Sequence, residues 1–127
     1  MDKVVHFEIP FDDGARARDF YASVFDWDVN EVDMGGGATY TTVTTVSVDD
    51  QMMPTERGAI NGGMMRREGE PSSPVITIQV DAIDGALEKI EAAGGKTVTP
   101  RTAIPGMGAF AYFEDTEGNT LGLWETE

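Results

Sequence analysis

The same order of elements occurs twice along this chain, and that repetition limits its fold more than any single motif does. Residues 4–9, VVHFEI, alternate, with Val5, Phe7 and Ile9 on one face and Val4, His6 and Glu8 on the other. Asp12 or Asp13 can cap a helix whose Ala17, Phe20, Tyr21, Val24 and Phe25 recur at three- and four-residue intervals. Residues 27–32 predict a short strand, residues 34–37 (MGGG) a turn, and residues 38–48, dense in Thr, Val and Tyr, a long strand. After an exposed loop over 49–57, residues 59–66 (AINGGMMR) form a glycine-broken strand in which Gly62 and Gly63 permit a bulge or a close backbone approach. The segment 68–73 (EGEPSS) has the composition of a linker.

The plan then restarts. Residues 75–80, VITIQV, alternate again, placing Ile76, Ile78 and Val80 on one face and Thr77 and Gln79 on the other. Asp81 and Asp84 bracket a helix start, Ile83, Leu87 and Ile90 form its apolar stripe, and Gly94-Gly95 stops it. Residues 96–99 give a short strand and 100–105 a loop. A hairpin completes the module: Phe110, Tyr112 and Phe113 lead into the turn Asp115-Thr116-Glu117-Gly118-Asn119, and Leu121, Leu123 and Trp124 resume the strand. Laying HFEIPFDDGARARDF over TIQVDAIDGALEKIE matches Phe7 with Ile78, Ile9 with Val80, Asp13 with Asp84 and Gly14 with Gly85. A strand, a helix and three strands cannot bury both faces of their sheet alone. The expectation is therefore one α+β domain over 1–127. Its two strand-helix-three-strand modules, 1–67 and 74–127, should pair edge to edge into a curved, partly open, barrel-like mixed sheet with the helices outside.

Composition removes several functions. The 23 Asp and Glu against nine Lys and Arg give a formal net charge of −14, a surface that repels phosphate backbones and anionic membranes. Neither nucleic acid nor membrane is an expected partner. Zero cysteines exclude disulfides, thiolate metal sites and cysteine nucleophiles together. No basic stretch precedes an apolar run at the N-terminus, so a soluble, cytoplasmic protein is the default expectation. No serine-nucleophile pattern appears, no phosphate loop accompanies Gly62-Gly63, and any triad would have to use the single histidine.

The faces turned away from the helices carry the candidate chemistry. By parity they include His6 and Glu8 from the first strand and Thr77 and Gln79 from the fifth. On the last strand Leu121, Leu123 and Glu125 share one face and Gly122 and Trp124 the other, and either face could point into the cup. If Trp124 packs outward, Leu121, Leu123 and Glu125 line it. Glu125 is otherwise a solvated residue near the C-terminus, and a lone strand histidine is commonly structural. Tyr40 and Tyr112 are packing residues or offer hydroxyls to the cup. Met52, Met53, Met64 and Met65 are core filler or the thioether lining of an adaptable pocket.

The opening KVVHFEIPFDDGARARDFYASVFDWDV, the middle INGGMM, the restart PVITIQVDAIDGALEKIEAAGGKTV and the ending PGMGAFAYFEDTEGNTLGLWE together resemble the vicinal oxygen chelate superfamily of glyoxalases, bleomycin-resistance proteins and extradiol dioxygenases. The resemblance spans nearly the whole chain. It implies paired modules, commonly a homodimer, and often a divalent metal (Mn, Ni, Zn, Mg or Fe) in the cup. The family's ligand positions fall on His6, Glu125, Thr77 and a position near Met65, of which only His6 and Glu125 are metal-competent. Glu8, two residues from His6, is a third ligand or an orienting partner.

Two functions are implied by the resemblance. One is a metal-dependent lyase, isomerase or dioxygenase acting on a small oxygenated substrate, with His6 and Glu125 on the metal and Glu125 or Glu8 moving the proton. The alternative is a non-catalytic protein that sequesters a small ligand. In either case Tyr40, Met65, Thr77, Gln79, Tyr112 and Leu123 are the expected substrate-binding residues.

The excess of carboxylates, with only Lys3, Lys89 and Lys96 as lysines, also suggests a halophile whose self-repulsion is relieved by salt. The midpoint of thermal unfolding is expected to rise between low and molar KCl; a flat response would remove that reading.

Overall fold

The computed structural model describes residues 1–127. Its residues cluster into two compact units, one of residues 6–74 and one of residues 1–5 with 75–127. The first contains most of β1 (Lys3–Phe11), then α1 (Gly14–Phe25), β2 (Asp28–Gly35), β3 (Ala38–Thr44) and β4 (Gly62–Arg66). The second contains β5 (Val75–Gln79), α2 (Ile83–Ala92), β6 (Lys96–Ile104), β7 (Gly108–Glu114) and β8 (Thr120–Thr126). Each is the expected strand, helix and three strands, and the α+β class stands.

Both modules are four-stranded mixed sheets built alike. In the N-terminal one, β1 runs parallel to β4, β4 pairs antiparallel with β3, and β3 pairs antiparallel with β2. In the C-terminal one, β5 runs parallel to β8, β8 pairs antiparallel with β7, and β7 with β6. A parallel pair needs a long crossover, which in each module carries the helix and the two intervening strands. The N-terminal core gathers Val29, Val43 and Met64 with Phe7, Ile9, Phe11, Ala17, Tyr21 and Trp27. The C-terminal core gathers Val80, Ile83, Leu87, Ala109, Ala111, Phe113 and Leu123 with Ile78, Ala86, Ile90 and Leu121. The alternation of the first and fifth strands therefore puts Phe7 and Ile9, and Ile78 and Val80, under the helices as expected.

Local chemistry explains most boundaries. The Asp13 side chain accepts from the Arg16 amide and caps α1. Gly35, Gly36 and Gly37, all at positive φ, close the β2–β3 hairpin, a conformation open to glycine at no steric cost. Asp115 Oδ1 accepts from the amides of Glu117 and Asn119 and shapes the β7–β8 turn.

Several limits differ from the sequence expectation. Pro10 lies inside β1, which continues to Phe11; a proline is tolerated where no ladder bond is asked of its nitrogen. Residues 100–104 belong to β6 and not to a loop, because register shifts between Thr97 and Thr99 and between Thr99 and Thr102 absorb the proline. The third strand stops at Thr44 and the fourth begins only at Gly62, since Asn61 caps the end of the sheet, its Oδ1 accepting from the amides of Thr45 and Val46.

Two glycines separate packing from propensity. A Cβ at Gly62 would meet the carbonyl oxygen of Phe7, which the sheet holds, whereas a Cβ at Gly85 in α2 meets nothing within 4 Å. Gly62→Ala should cost about 1–3 kcal/mol in chemical denaturation, and Gly85→Ala should add about 0.5–1 kcal/mol.

Candidate functional site

On the helix-free face of the N-terminal module a polar cluster forms around Tyr40. Glu8 stands across β4 from Thr42, with Gly63 between them, and Met65 stands beside Tyr40 in the next row. The Tyr40 ring lies over Gly63, whose absent side chain makes the room: a Cβ there would clash with the phenol oxygen. His6 Nε2 lies 3.1 Å from that hydroxyl. Burial holds the imidazole below its ordinary pKa, so it is neutral at pH 7. Burial, and secondarily the charge of Glu8, raises the phenol well above its usual value, so it stays protonated. The cluster is thus a neutral imidazole, an un-ionised phenol and a nearby carboxylate, suited to exchanging hydrogen bonds with an uncharged oxygen. Four expected residues, His6, Glu8, Tyr40 and Met65, are brought to one face here.

The helix-free face of the C-terminal module carries Thr77, Gln79, Phe110, Tyr112, Gly122 and Trp124. Thr77 faces Gly122, which faces Tyr112, and Gln79 faces Trp124. Thr77 is 5% exposed and its Oγ1 has no hydrogen-bond partner. Gln79 Nε2 donates to Thr126 Oγ1 at 3.3 Å. Three more expected residues, Thr77, Gln79 and Tyr112, therefore share a face.

Leu123 and Glu125 do not join them. Leu123 is 2% exposed in the core under α2, so it cannot line a ligand site. Glu125, on the same side of β8, turns toward the helix. Its Oε2 accepts from the Ile83 amide at 2.7 Å, and Arg101 Nη2 donates to its Oε1 at 2.8 Å. The N-cap residue Ala82 has no side-chain oxygen, and Glu125 supplies from β8 the acceptor that α2 lacks locally. Of the two faces of the last strand, either of which could have pointed into the cup, the helix stripe of Ile83 and Leu87 takes the leucine face, and alternation leaves Gly122 and Trp124 for the other, so the condition under which Leu123 and Glu125 would line the cup is not met. The leucine pair was itself the signal. Gly63, Gly122 and Arg101 were not foreseen, because a missing side chain and a partner from a bulged strand leave no local pattern.

The donor set does not fit a divalent ion. Within neither module does a group of three or more His, Asp or Glu side chains converge as a metal would require. His6 points its Nε2 at Tyr40, Glu125 is held by Arg101, and at the remaining positions Thr77 offers one hydroxyl and Met65 a soft thioether.

The Glu125 carboxyl is held below its usual pKa by hydrogen bonding from Arg101 and then from the Ile83 amide. A depressed carboxyl stabilises the fold above its unfolded pKa, and that contribution is lost as pH falls through the folded value. Glu125→Gln should lower the thermal midpoint by a few degrees at pH 7, with the gap to wild type closing below about pH 4. An unchanged gap on acidification would show that the charge is not what ties β8 to α2.

Residues 3–123 match the model of the Glyoxalase/Bleomycin resistance protein/Dioxygenase superfamily. A Mycobacterium bovis protein named as a glyoxylase, CFP32, is 30% identical over 115 residues, covering 89% of this chain and 41% of that protein, so the chain spans under half of that relative's length. A glyoxylase-like domain-containing protein of Didymella fabae is 30% identical over 118 residues, covering 91% of this chain and 88% of the relative. Among solved structures, a Bacillus halodurans hypothetical protein superposes with a TM-score of 0.67 at 13% identity, covering 99% of this chain and 95% of that one. Streptomyces coelicolor methylmalonyl-CoA epimerase, in complex with 2-nitronate-propionyl-CoA, gives a TM-score of 0.64 at 14% identity, covering 98% and 96%. With its repeated module, its helix placement and this match over nearly its whole length, the chain belongs to the Glyoxalase/Bleomycin resistance protein/Dioxygenase superfamily.

Proposed function

We propose that this superfamily member binds a small oxygenated molecule on its helix-free face without a resident metal ion, as a ligand-sequestering protein. The observation that carries this reading is the His6–Tyr40 pair over Gly63. The imidazole that would serve as a ligand is in a hydrogen bond, and the carboxylate expected to join it is engaged by Arg101 under α2. What remains is a set of hydrogen-bonding groups with a fixed, uncharged phenol at its centre. A carbonyl, ether or hydroxyl oxygen matches such groups better than a cation does. Met65 beside Tyr40 supplies an adaptable apolar contact.

A metal-dependent lyase or isomerase is the second reading, supported by the fold shared with methylmalonyl-CoA epimerase. On this reading His6 and Glu8 would have to bind the ion with retained water, and Tyr40 would have to release the imidazole. A homodimer has support in α1, where Phe20, Val24 and Phe25 are each about half exposed and give a second copy an apolar face to cover.

The two functions separate by metal content. After incubation with manganese, nickel or zinc and gel filtration, mass spectrometry should find substoichiometric metal, equal in wild type and His6→Ala. One metal per chain that disappears in His6→Ala would establish the metal-dependent reading instead.

A further inference from the structure

The two modules share one plan, and each carries on its helix-free face an aromatic ring lying over a glycine, with the two partners exchanged between strands. In the repeat His6 matches Thr77 and Glu8 matches Gln79. Glu8 pairs with Gly63 of β4 and Gln79 with Trp124 of β8, so Trp124 stands where Gly63 stands. Thr42 faces Gly63 and Phe110 faces Trp124; two residues earlier on the same strands, Tyr40 therefore corresponds to Gly108. In the N-terminal module the Tyr40 ring crosses the bare position at Gly63. In the C-terminal module the Trp124 indole crosses the bare position at Gly108, where a Cβ would lie 2.9 Å from Cζ2.

The exchange changes what the first strand of each module meets. The Tyr40 ring brings a hydroxyl to His6. Gly108 pairs with Thr126, so the indole leans to the side of its row away from Gly122 and Thr77. Thr77, at the position of His6, is 5% exposed, and its Oγ1 has no hydrogen-bond partner. A buried hydroxyl left unmet destabilises the chain that carries it. The internal phenol that satisfies the N-terminal module has no counterpart in the C-terminal one.

The Thr77 hydroxyl leans over bare backbone. Gly122 pairs with Thr77, and the three atoms nearest to a Cβ built on it all belong to Thr77, Oγ1 being the closest at 2.8 Å. Tyr112 faces Gly122 from β7, and the Phe110 ring meets the Tyr112 ring edge-on at 5.8 Å. In the neighbouring row Gln79, Trp124 and Phe110 are only partly buried, which leaves aromatic surface that a flat molecule can reach. Neither row contains a charged side chain from β5 across to β6.

We propose that this face of the C-terminal module binds a neutral phenol, whose hydroxyl meets Thr77 Oγ1 over Gly122 as the Tyr40 hydroxyl meets His6, and whose ring lies against Phe110 and Trp124. The inference rests on the reading that the helix-free face takes a small oxygenated molecule, and it names the class of that molecule. A threonine hydroxyl both donates and accepts, so it matches a phenol in either direction. A phenolate is disfavoured, because the two rows offer it no cation and the chain carries a net charge of −14.

The probe is p-cresol, compared with p-xylene, which carries a methyl group in place of the hydroxyl. Both are titrated into wild type, Thr77→Val, Thr77→Ser and Tyr40→Phe and followed by NMR at the Gly122 amide and the Trp124 indole. The Trp27 indole, packed on the helix-side core, is the internal reference. In wild type p-cresol should saturate and move the Gly122 and Trp124 signals but not that of Trp27. Thr77→Val should weaken p-cresol about fivefold or more relative to p-xylene, and Thr77→Ser, which keeps the hydroxyl, should hold the wild-type ratio. Without ligand, Thr77→Val should melt above wild type, because the unmet hydroxyl is gone. No saturable binding of p-cresol, Gly122 and Trp124 signals that stay in place, an unchanged ratio in Thr77→Val, or a Thr77→Val chain that melts below wild type would each overturn the proposal. An unchanged ratio in Thr77→Val together with loss of p-cresol binding in Tyr40→Phe would move the ligand to the His6–Tyr40 face, overturning the proposal but not the reading beneath it. That reading fails separately, on metal bound through His6.

Discussion

A strand residue can face only one side of its sheet, and on β8 that constraint decides which side chains enter the core and which are left for the opposite face. Once Leu121 and Leu123 complete the core beneath α2, Glu125 must accompany them and Gly122 and Trp124 must turn the other way. Burying a leucine is worth roughly 1.5–3 kcal/mol, more than an exposed carboxylate gains by choosing its surroundings. The acid is thereby brought to the start of a helix that has no cap of its own, and Arg101 reaches it from β6. A residue expected to carry chemistry is instead used to hold a helix.

On the other side of the sheets the same constraint works by omission. Gly63 and Gly122 carry no side chain, and each gives its space to a neighbour: Gly63 to the Tyr40 ring, Gly122 to Thr77. The single histidine then meets a phenol. Desolvation keeps the imidazole neutral and the phenol protonated, so the pair is an uncharged hydrogen-bonding unit and not a cation-binding one. Thr77 Oγ1 is the one buried side-chain polar atom without a hydrogen-bond partner.

Duplication makes each module a reference for the other. The comparison exposes an asymmetry that neither half shows alone: α2 buries Ile83 and Leu87 and takes its N-terminal acceptor from β8, while α1 is capped by its own Asp13 and packs Ala17 and Tyr21 on the core without burying any residue fully. Aromatic contacts compensate at the far end of α1, where Tyr21 stacks on Trp27 at 5.3 Å and Trp27 meets Phe7 at 5.9 Å. The anchoring is thus concentrated at the C-terminal end of α1, and the N-terminal half leaves room beneath it.

The residues alone determined the module plan, the helix stripes and the facing of the first and fifth strands, because periods of two and 3.6 are local and leave their mark on composition. They also grouped His6 with Glu8, two residues apart on one strand. They could not decide which face of the last strand turns inward, since Leu121, Leu123 and Glu125 satisfy alternation either way. Only tertiary packing chose, by laying Ile83 and Leu87 against the leucines. Nor could any local pattern show that Tyr40, 34 residues from His6, would lie across Gly63 to meet it. That contact depends on the register of three strands, and register is a property of the assembled sheet.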